Sequence, residues 1–315
     1  MSKIPIRRTI SSAYAFTFGH IGTVIGLIWL PLLIYYVGRF FIVNYAETIA
    51  ASGDPSSAGR ATLVLIGFWF LSVFFTAIVG VALTRQVLSP KPGNIIVNFG
   101  LGQAELNYFL ALLAVFAVML AVYIGVVILA AAIGGMGAAV AASAAGGGAK
   151  WLVPSITAAV MALAAAALVF IAVRLIYLVA PVTVSENRID LIRAWQMSRG
   201  NFWRMLLVFL ATVGPVVIIS QIAFAAIVGG DYVVALLSVM AAIFHAVASG
   251  NTPQAQLLQH LPDISSKTPF LLGLGFLLAP LTYGLMFSAS AYAYRALVGS
   301  SATPSSPDVG PFKPA

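Results

Sequence analysis

An arginine inside an apolar run is the first residue of this chain that could do chemistry. Arg174 stands in LVFIAVRLIYLVAPV, where an ionised side chain is expensive to hold and a partner or ligand is expected by default. Glu105 is the nearest plausible carboxylate in the sequence, with Tyr177 and backbone carbonyls as alternatives. Arg174 and Glu105 are therefore the intramembrane polar candidates, read first as a structural pair and second as a substrate or lipid-headgroup site. Arg39 lies in another apolar run, close enough to its end for the long side chain to reach outward.

Other constellations carry less. Glu186 and Asp190 are four residues apart and could imitate an acid pair, but acids at a helix start flanked by arginines usually complement the helix dipole. His20, His245 and His260 are too far apart for a helix-borne metal pair, and only Asp263 lies near one of them. The glycines Gly146, Gly147 and Gly148 before Lys150 lack the Gly-Lys-Ser/Thr ending of a phosphate loop, and Gly135 and Gly137 lack the third glycine of a dinucleotide fingerprint. With no cysteine in the chain, thiolate metal sites, disulfides and cysteine nucleophiles are excluded. The residues assemble no catalytic set, no cofactor site and no metal site, so the expectation is a protein that is not an enzyme.

The elements that must position these residues are set by composition. Sixty-one per cent of residues are hydrophobic and 8% charged, with a mean hydropathy of +1.04, far from the soluble range of about a quarter charged. Apolar runs of about 20 residues recur, the length that crosses a bilayer as helix. The reading is all-α: a polytopic transmembrane helical bundle of about six spans with interfacial amphipathic helices. The spans are expected at about 21–43, 61–84, 106–133, 152–182, 203–228 and 269–294. Residues 1–19 form an N-terminal cytoplasmic interfacial segment, 20–298 the membrane domain and 299–315 a disordered cytoplasmic tail. The apolar stretch 232–248 is short for a span and reads as an external re-entrant or interfacial helix.

The net charge of +8 is scattered over short loops, which argues against nucleic acid and for topology. With the N-terminus inside, Lys3, Arg7, Arg8, Arg85, Lys91, Arg188, Arg193, Arg199, Arg204, Arg295 and Lys313 fall on the cytoplasmic side, against Arg60, Lys150 and Lys267 outside. Both termini are thus expected in the cytoplasm. The first apolar run is too long for a signal-peptide core and reads as a retained span. Small residues crowd the third and fourth spans and their loop, which predicts a tight hairpin. The run 106–142 would be about 55 Å long as helix and must break or protrude. Pro31, Pro154, Pro181, Pro215 and Pro280 permit kinks.

A cytoplasmic hinge at 185–204, SENRIDLIRAWQMSRGNFWR, concentrates charge between spans. Ser185 reads as N-cap, Glu186 and Asp190 as the first turns and Gly200 as the stop of one short helix. Arg188, Arg193, Trp195, Arg199, Phe202, Trp203 and Arg204 are the lipid-interface candidates, because cations near anionic headgroups contribute about 1 kcal/mol each and aromatic rings favour the interface. A shift of 181 residues overlays Ile10 on Leu191, Tyr14 on Trp195 and Gly19 on Gly200, with Ile95, Ile96 and Phe99 as a fainter third copy. That spacing suggests a threefold repeat of interfacial helix plus hairpin.

The run Ala194, Trp195, Ser198, Arg199, Gly200, Asn201, Phe202 and Trp203, leading directly into a span, resembles the motif of uncharacterised six-span bacterial membrane proteins related to the membrane domain attached to some glycerophosphodiester phosphodiesterases. The resemblance covers about residues 5–298 and includes the stretch from Tyr14 to Gly19. It implies membrane location. The phosphodiesterase activity of that family belongs to a separate soluble domain and does not carry over. The functional expectation is a non-enzymatic membrane protein that engages anionic lipid, a protein partner or a second copy of itself. The alternative is a small-solute or lipid transporter with a site near Arg174; Gln221, Ser220 and Tyr283 are its only further polar candidates.

Overall fold

The structure, a computed structural model, describes residues 3–51, 57–90, 102–143, 152–229 and 267–299, together with Leu237. The expected helix at 232–248 apart from Leu237, the external loop after it, the residues 95–99 of the third repeat copy, the glycine run 146–148 and the tail beyond 299 lie outside them.

Every described element is helical, and no strand occurs among the described residues. In chain order they are α1 (Ile6–Gly19), α2 (Ile21–Ala51), α3 (Ser57–Leu88), α4 (Gln103–Ser143), α5 (Leu152–Glu186), α6 (Leu191–Met197), α7 (Phe202–Val228) and α8 (Thr268–Gly299). Six of them are long and apolar enough to cross a membrane: α2, α3, α4, α5, α7 and α8. Only helices and closed barrels satisfy every backbone polar group without water, so the chain is an all-α, multi-pass integral membrane bundle.

The long helices are continuous through the positions where a break was weighed or a proline permits a kink. α4 is one unbroken helix of 41 residues, about 60 Å long, so it resolves the predicted break-or-protrude choice by length. α2, α5, α7 and α8 continue through Pro31, Pro181, Pro215 and Pro280. Among the described helices α4 and α5 form the most extensive pairing, in keeping with the small residues of the two spans.

α1 is not a free surface helix. Its Tyr14 hydroxyl donates to Ala211 O at 2.9 Å, while the Ile4 N–H donates to Asn201 Oδ1 at 3.1 Å and Arg204 Nη1 donates to Ile4 O at 2.8 Å. These pairings lay α1 along the first turns of α7. On its other side Thr17 meets Gly284 of α8 so closely that a Cβ there would lie 2.8 Å from Thr17 Cγ2. The buried face of α1 is Thr9, Ala13, Phe16 and Thr17; Ile6, Ile10 and Tyr14 are partly buried.

The core sits at one end of the bundle, the end where α1 and α6 pack. Buried residues cluster at Val24 to Leu32 of α2, Phe75 to Val87 of α3, Ala104 to Val115 of α4, Leu175 to Val182 of α5 and Leu285 to Leu297 of α8. The opposite halves of the same helices expose Phe41, Leu63, Ile128, Leu163, Ile222 and Leu277.

Candidate functional site: the hinge end of the bundle

Arg174 is buried at 9% exposure, and its partner is neither Glu105 nor Tyr177. Its Nε donates to Ser198 Oγ at 3.0 Å and its Nη2 to Trp195 O at 2.7 Å. The guanidinium carbon lies 3.7 Å from the Trp195 ring centroid and 5.4 Å from that of Phe170. A planar cation with donors along its edge and aromatic attraction through its face suits this pocket, and a lysine would not reproduce it. Ser198 Oγ donates in turn to Trp195 O at 2.8 Å. The buried charge therefore fastens the hinge to α5 through α6. Of the alternatives weighed from sequence, the backbone carbonyl is the one used; the serine partner was missed, because nothing in the sequence brings a residue 24 positions away against Arg174.

Glu105 serves a different purpose. It sits in the first turn of α4 and accepts from the Gly102 N–H at 3.0 Å, half of a capping box. Its other oxygen pairs with Arg85 Nη1 at 3.3 Å. Beside it, Gln103 Nε2 donates to Asn107 Oδ1 at 3.0 Å and Asn107 Nδ2 donates to Asn187 O at 2.8 Å. That last bond ties α4 to the turn after α5. Asn187 has φ 50°, a left-handed conformation that asparagine tolerates better than most residues.

The hinge departs from the single helix expected to begin at Ser185. α5 continues to Glu186 and a turn follows. Asp190 is the N-cap of the seven-residue α6, accepting from the Arg193 N–H at 2.8 Å. The physical reason is that Asp190 closes the orphan N–H groups of a new helix, whereas Ser185 Oγ bonds back to Val182 O at 3.1 Å within α5 and to the Tyr294 hydroxyl at 2.6 Å. Gly200, with φ 74°, ends the hinge turn as expected. At α6, Ala194 and Ser198 are buried, while Ile192 is 71% exposed.

The hinge cations divide. Arg188 Nη2 lies 3.0 Å from both Glu186 Oε2 and Asp190 Oδ2, and Arg193 pairs with the other Glu186 oxygen. Arg204 is committed to Ile4 O. Arg199 has no carboxylate partner among the described residues, and Trp203 beside it is 71% exposed. Phe202 lies between Phe170 and Trp203, tilted to the first and edge-on to the second, at ring distances of 4.8 and 5.0 Å.

Two polar depressions at the same end were not anticipated. One, of about 390 Å³, is walled by Arg8, Ser12, Tyr292 and Arg295. The other, of about 650 Å³, is walled by Arg85, Ser89, Tyr294 and Arg295. Sequence reading counted Arg8, Arg85 and Arg295 only as topology charges. Arg8 and Arg295 have no carboxylate partner among the described residues. Part of their placement is electrostatic housekeeping, since Arg85 lies in the last turn of α3, where a cation suits the dipole.

Among the described residues no three His, Cys, Asp or Glu side chains gather where they could hold a metal ion. His245, His260 and Asp263 fall outside those residues. Ser220, proposed for transport, donates within its own helix to Val217 O at 2.7 Å.

Fold and site together define the class: a multi-pass helical membrane protein with a basic, hydroxyl-bearing end held by a buried arginine. Comparison of the chain with family models, with curated proteins and with solved structures finds no match.

Proposed function

We propose that this protein is a non-enzymatic component of a bacterial inner membrane, with both termini cytoplasmic, that engages anionic lipid through its hinge end. The reading rests on one observation: at that end, cations without carboxylate partners among the described residues accompany exposed apolar side chains. Arg199 follows α6, Arg8 and Arg295 share a depression, and Ile192 and Trp203 remain uncovered nearby. Apolar side chains beside unpaired cations fit a headgroup layer, where rings and cations have separate partners. The resemblance to six-span bacterial membrane proteins, carried by Trp195 to Trp203, accords with this reading and adds no activity to it.

The lipid-interface set is accordingly refined. Arg188 and Arg193 are largely neutralised by Glu186 and Asp190, and Arg204 supports the N-terminal segment, so Arg8, Arg199 and Arg295 carry the recognition. Transport near Arg174 gains no support, because the recorded contacts of that guanidinium are taken up by the hinge. The test is native mass spectrometry of the protein released from membranes. The wild type is expected to retain anionic lipid, a triple Arg8→Gln, Arg199→Gln, Arg295→Gln variant to lose it, and an Arg188→Gln, Arg193→Gln variant to keep most of it. Equal retention by all three proteins would refute the reading.

A further inference from the structure

The two polar depressions at the packed end share a wall, because Arg295 and Gly299 line both. Their volumes, about 390 Å³ on the α1 side and about 650 Å³ on the α3 side, fall within the roughly 300–1,000 Å³ of small-ligand sites. On the α1 side Arg8, Ser12 and Tyr292 join Arg295. Among the described residues, none of these four side chains makes a hydrogen bond or an ion pair. On the α3 side Ser89 adds a further uncommitted hydroxyl, while Arg85 pairs through one nitrogen with Glu105. The Arg85 side chain is still 42% exposed, and a guanidinium has five N–H donors to place. Three cations thus meet one carboxylate, which leaves a surplus of two positive charges over the paired depressions.

We infer that the two depressions form one site for a ligand with two phosphate groups, one seated between Arg8 and Arg295 and the other between Arg295 and Arg85. Guanidinium forks match the oxygens of a phosphate, and the spare hydroxyls of Ser12, Tyr292 and Ser89 suit the oxygens that the forks leave over. Two phosphodiesters carry the two negative charges that the surplus calls for, and the shared Arg295 divides them between two basins. A headgroup with a single phosphodiester would leave one basin unfilled and one charge unmatched. A soluble bisphosphate has the same chemistry as a lipid with two phosphodiesters. The setting favours the lipid: α3 and α8 end at this level, and Leu88, Val184 and Val298 give the larger basin an apolar border from which acyl chains can leave. This inference rests on the proposed lipid role and names the headgroup class.

The full chain, purified in detergent and stripped of lipid, is titrated with four probes while thermal unfolding is followed. They are tetraoleoyl-diphosphatidylglycerol, which has two phosphodiesters, its deacylated headgroup, dioleoyl-phosphatidylglycerol, which has one, and zwitterionic dioleoyl-phosphatidylcholine. Counted per phosphate, the wild type should bind the two-phosphate lipid about tenfold more tightly than the one-phosphate lipid, the worth of one further charge-assisted contact. Arg295→Gln should abolish that preference. Arg199→Gln, which lies outside both depressions, should weaken both anionic lipids and keep it. Arg295 is exposed and has no partner to lose, so its lipid-free Tm should hold; if it falls, the double variant Ser12→Ala, Tyr292→Phe takes its place, with a loss of preference again expected. Equal wild-type affinity per phosphate would overturn the two-phosphate site, as would a preference that survives Arg295→Gln or, where that variant is unstable, the double variant. Either result leaves the lipid role standing if both anionic lipids still outbind phosphatidylcholine, and that role falls too if neither does. Binding of the deacylated headgroup as tightly as the lipid would uphold the site and make its ligand a soluble one.

Discussion

The two ends of this bundle are built from the same helices and differ in what covers them. At the hinge end, α1 and α6 fill the gaps between long helices, and side chains such as Leu83, Leu178, Met205 and Leu285 are wholly enclosed by protein. At the other end the same helices present Phe41, Leu63, Ile128 and Leu163 outward. In water such a surface would be an aggregation hazard; in a bilayer, lipid tails cover it as well as leucine would. The short helices α1 and α6 therefore help to make one end a protein core, and the buried polar side chains among the described residues, such as Glu105, Arg174, Ser198 and Asn201, lie at that end. Breaking the fastening of α6 tests this division most severely.

Arg174→Ala removes two charge-assisted hydrogen bonds and a stacked cation, and it leaves the Trp195 carbonyl and Ser198 to each other. The lost bonds and cation–π contact exceed the desolvation relieved, so a destabilisation of about 3 kcal/mol is expected in detergent. Limited proteolysis at the hinge and a fall in Tm would register it. Arg174→Lys should recover only part, since an ammonium cannot reach both oxygens and lie flat on the ring. Full Tm and an uncut hinge in Arg174→Ala would show that α6 does not need its tether.

A smaller effect comes from the tightest helix approach in the packed end. A Cβ on Gly80 of α3 would lie 2.6 Å from Phe287 Cζ and 2.8 Å from Tyr108 Cε1. Both rings are buried, at 3% and 2% exposure, and have little room to give. Gly80→Ala should therefore destabilise by about 2 kcal/mol through overpacking, read as a lowered Tm. Next in size is Asp190→Ala, which deprives α6 of its N-cap and releases one partner of Arg188; about 1 kcal/mol is expected, visible as faster hydrogen exchange at the Ala194 amide.

The division between the ends was not legible in the sequence, although the helices were. Apolar run length is a local property, and it placed six membrane-crossing helices because the bilayer constrains each one separately. Which half of a helix meets protein is a property of its neighbours, and in so apolar a chain the two halves look alike: α5 carries Leu163 exposed and Leu178 buried with similar surroundings in sequence. Arg174 announced that it needed a partner, since a lone charge in an apolar run is conspicuous. Chemistry alone then favoured a carboxylate, and the actual partners, a serine hydroxyl and a carbonyl, are too common to stand out. The hinge boundary misled for a related reason: Ser185 and Asp190 are both good N-caps by type, and the tertiary bond of Ser185 to the Tyr294 hydroxyl, which accompanies its use within α5, is not visible in sequence. Gly200 was legible because a left-handed turn has few other residues to use.

The same substitution in the same helix offers the finest test of the division. Gly67 lies in α3 thirteen positions before Gly80, and a Cβ there meets nothing within 4 Å. Alanine is the better helix former by about 0.5–1 kcal/mol, because it restricts the unfolded backbone more than glycine does. At Gly67 that local gain stands uncontested, so Gly67→Ala should raise stability by about 0.5 kcal/mol, whereas at Gly80 the clash outweighs it. The two variants are compared by Tm in one detergent and in one lipid. Opposite signs would mean that packing ends between these positions. A destabilised Gly67→Ala would mean that a surface at the open end is covered, by another copy of the chain or by a partner, and lipid alone would no longer account for the exposed half.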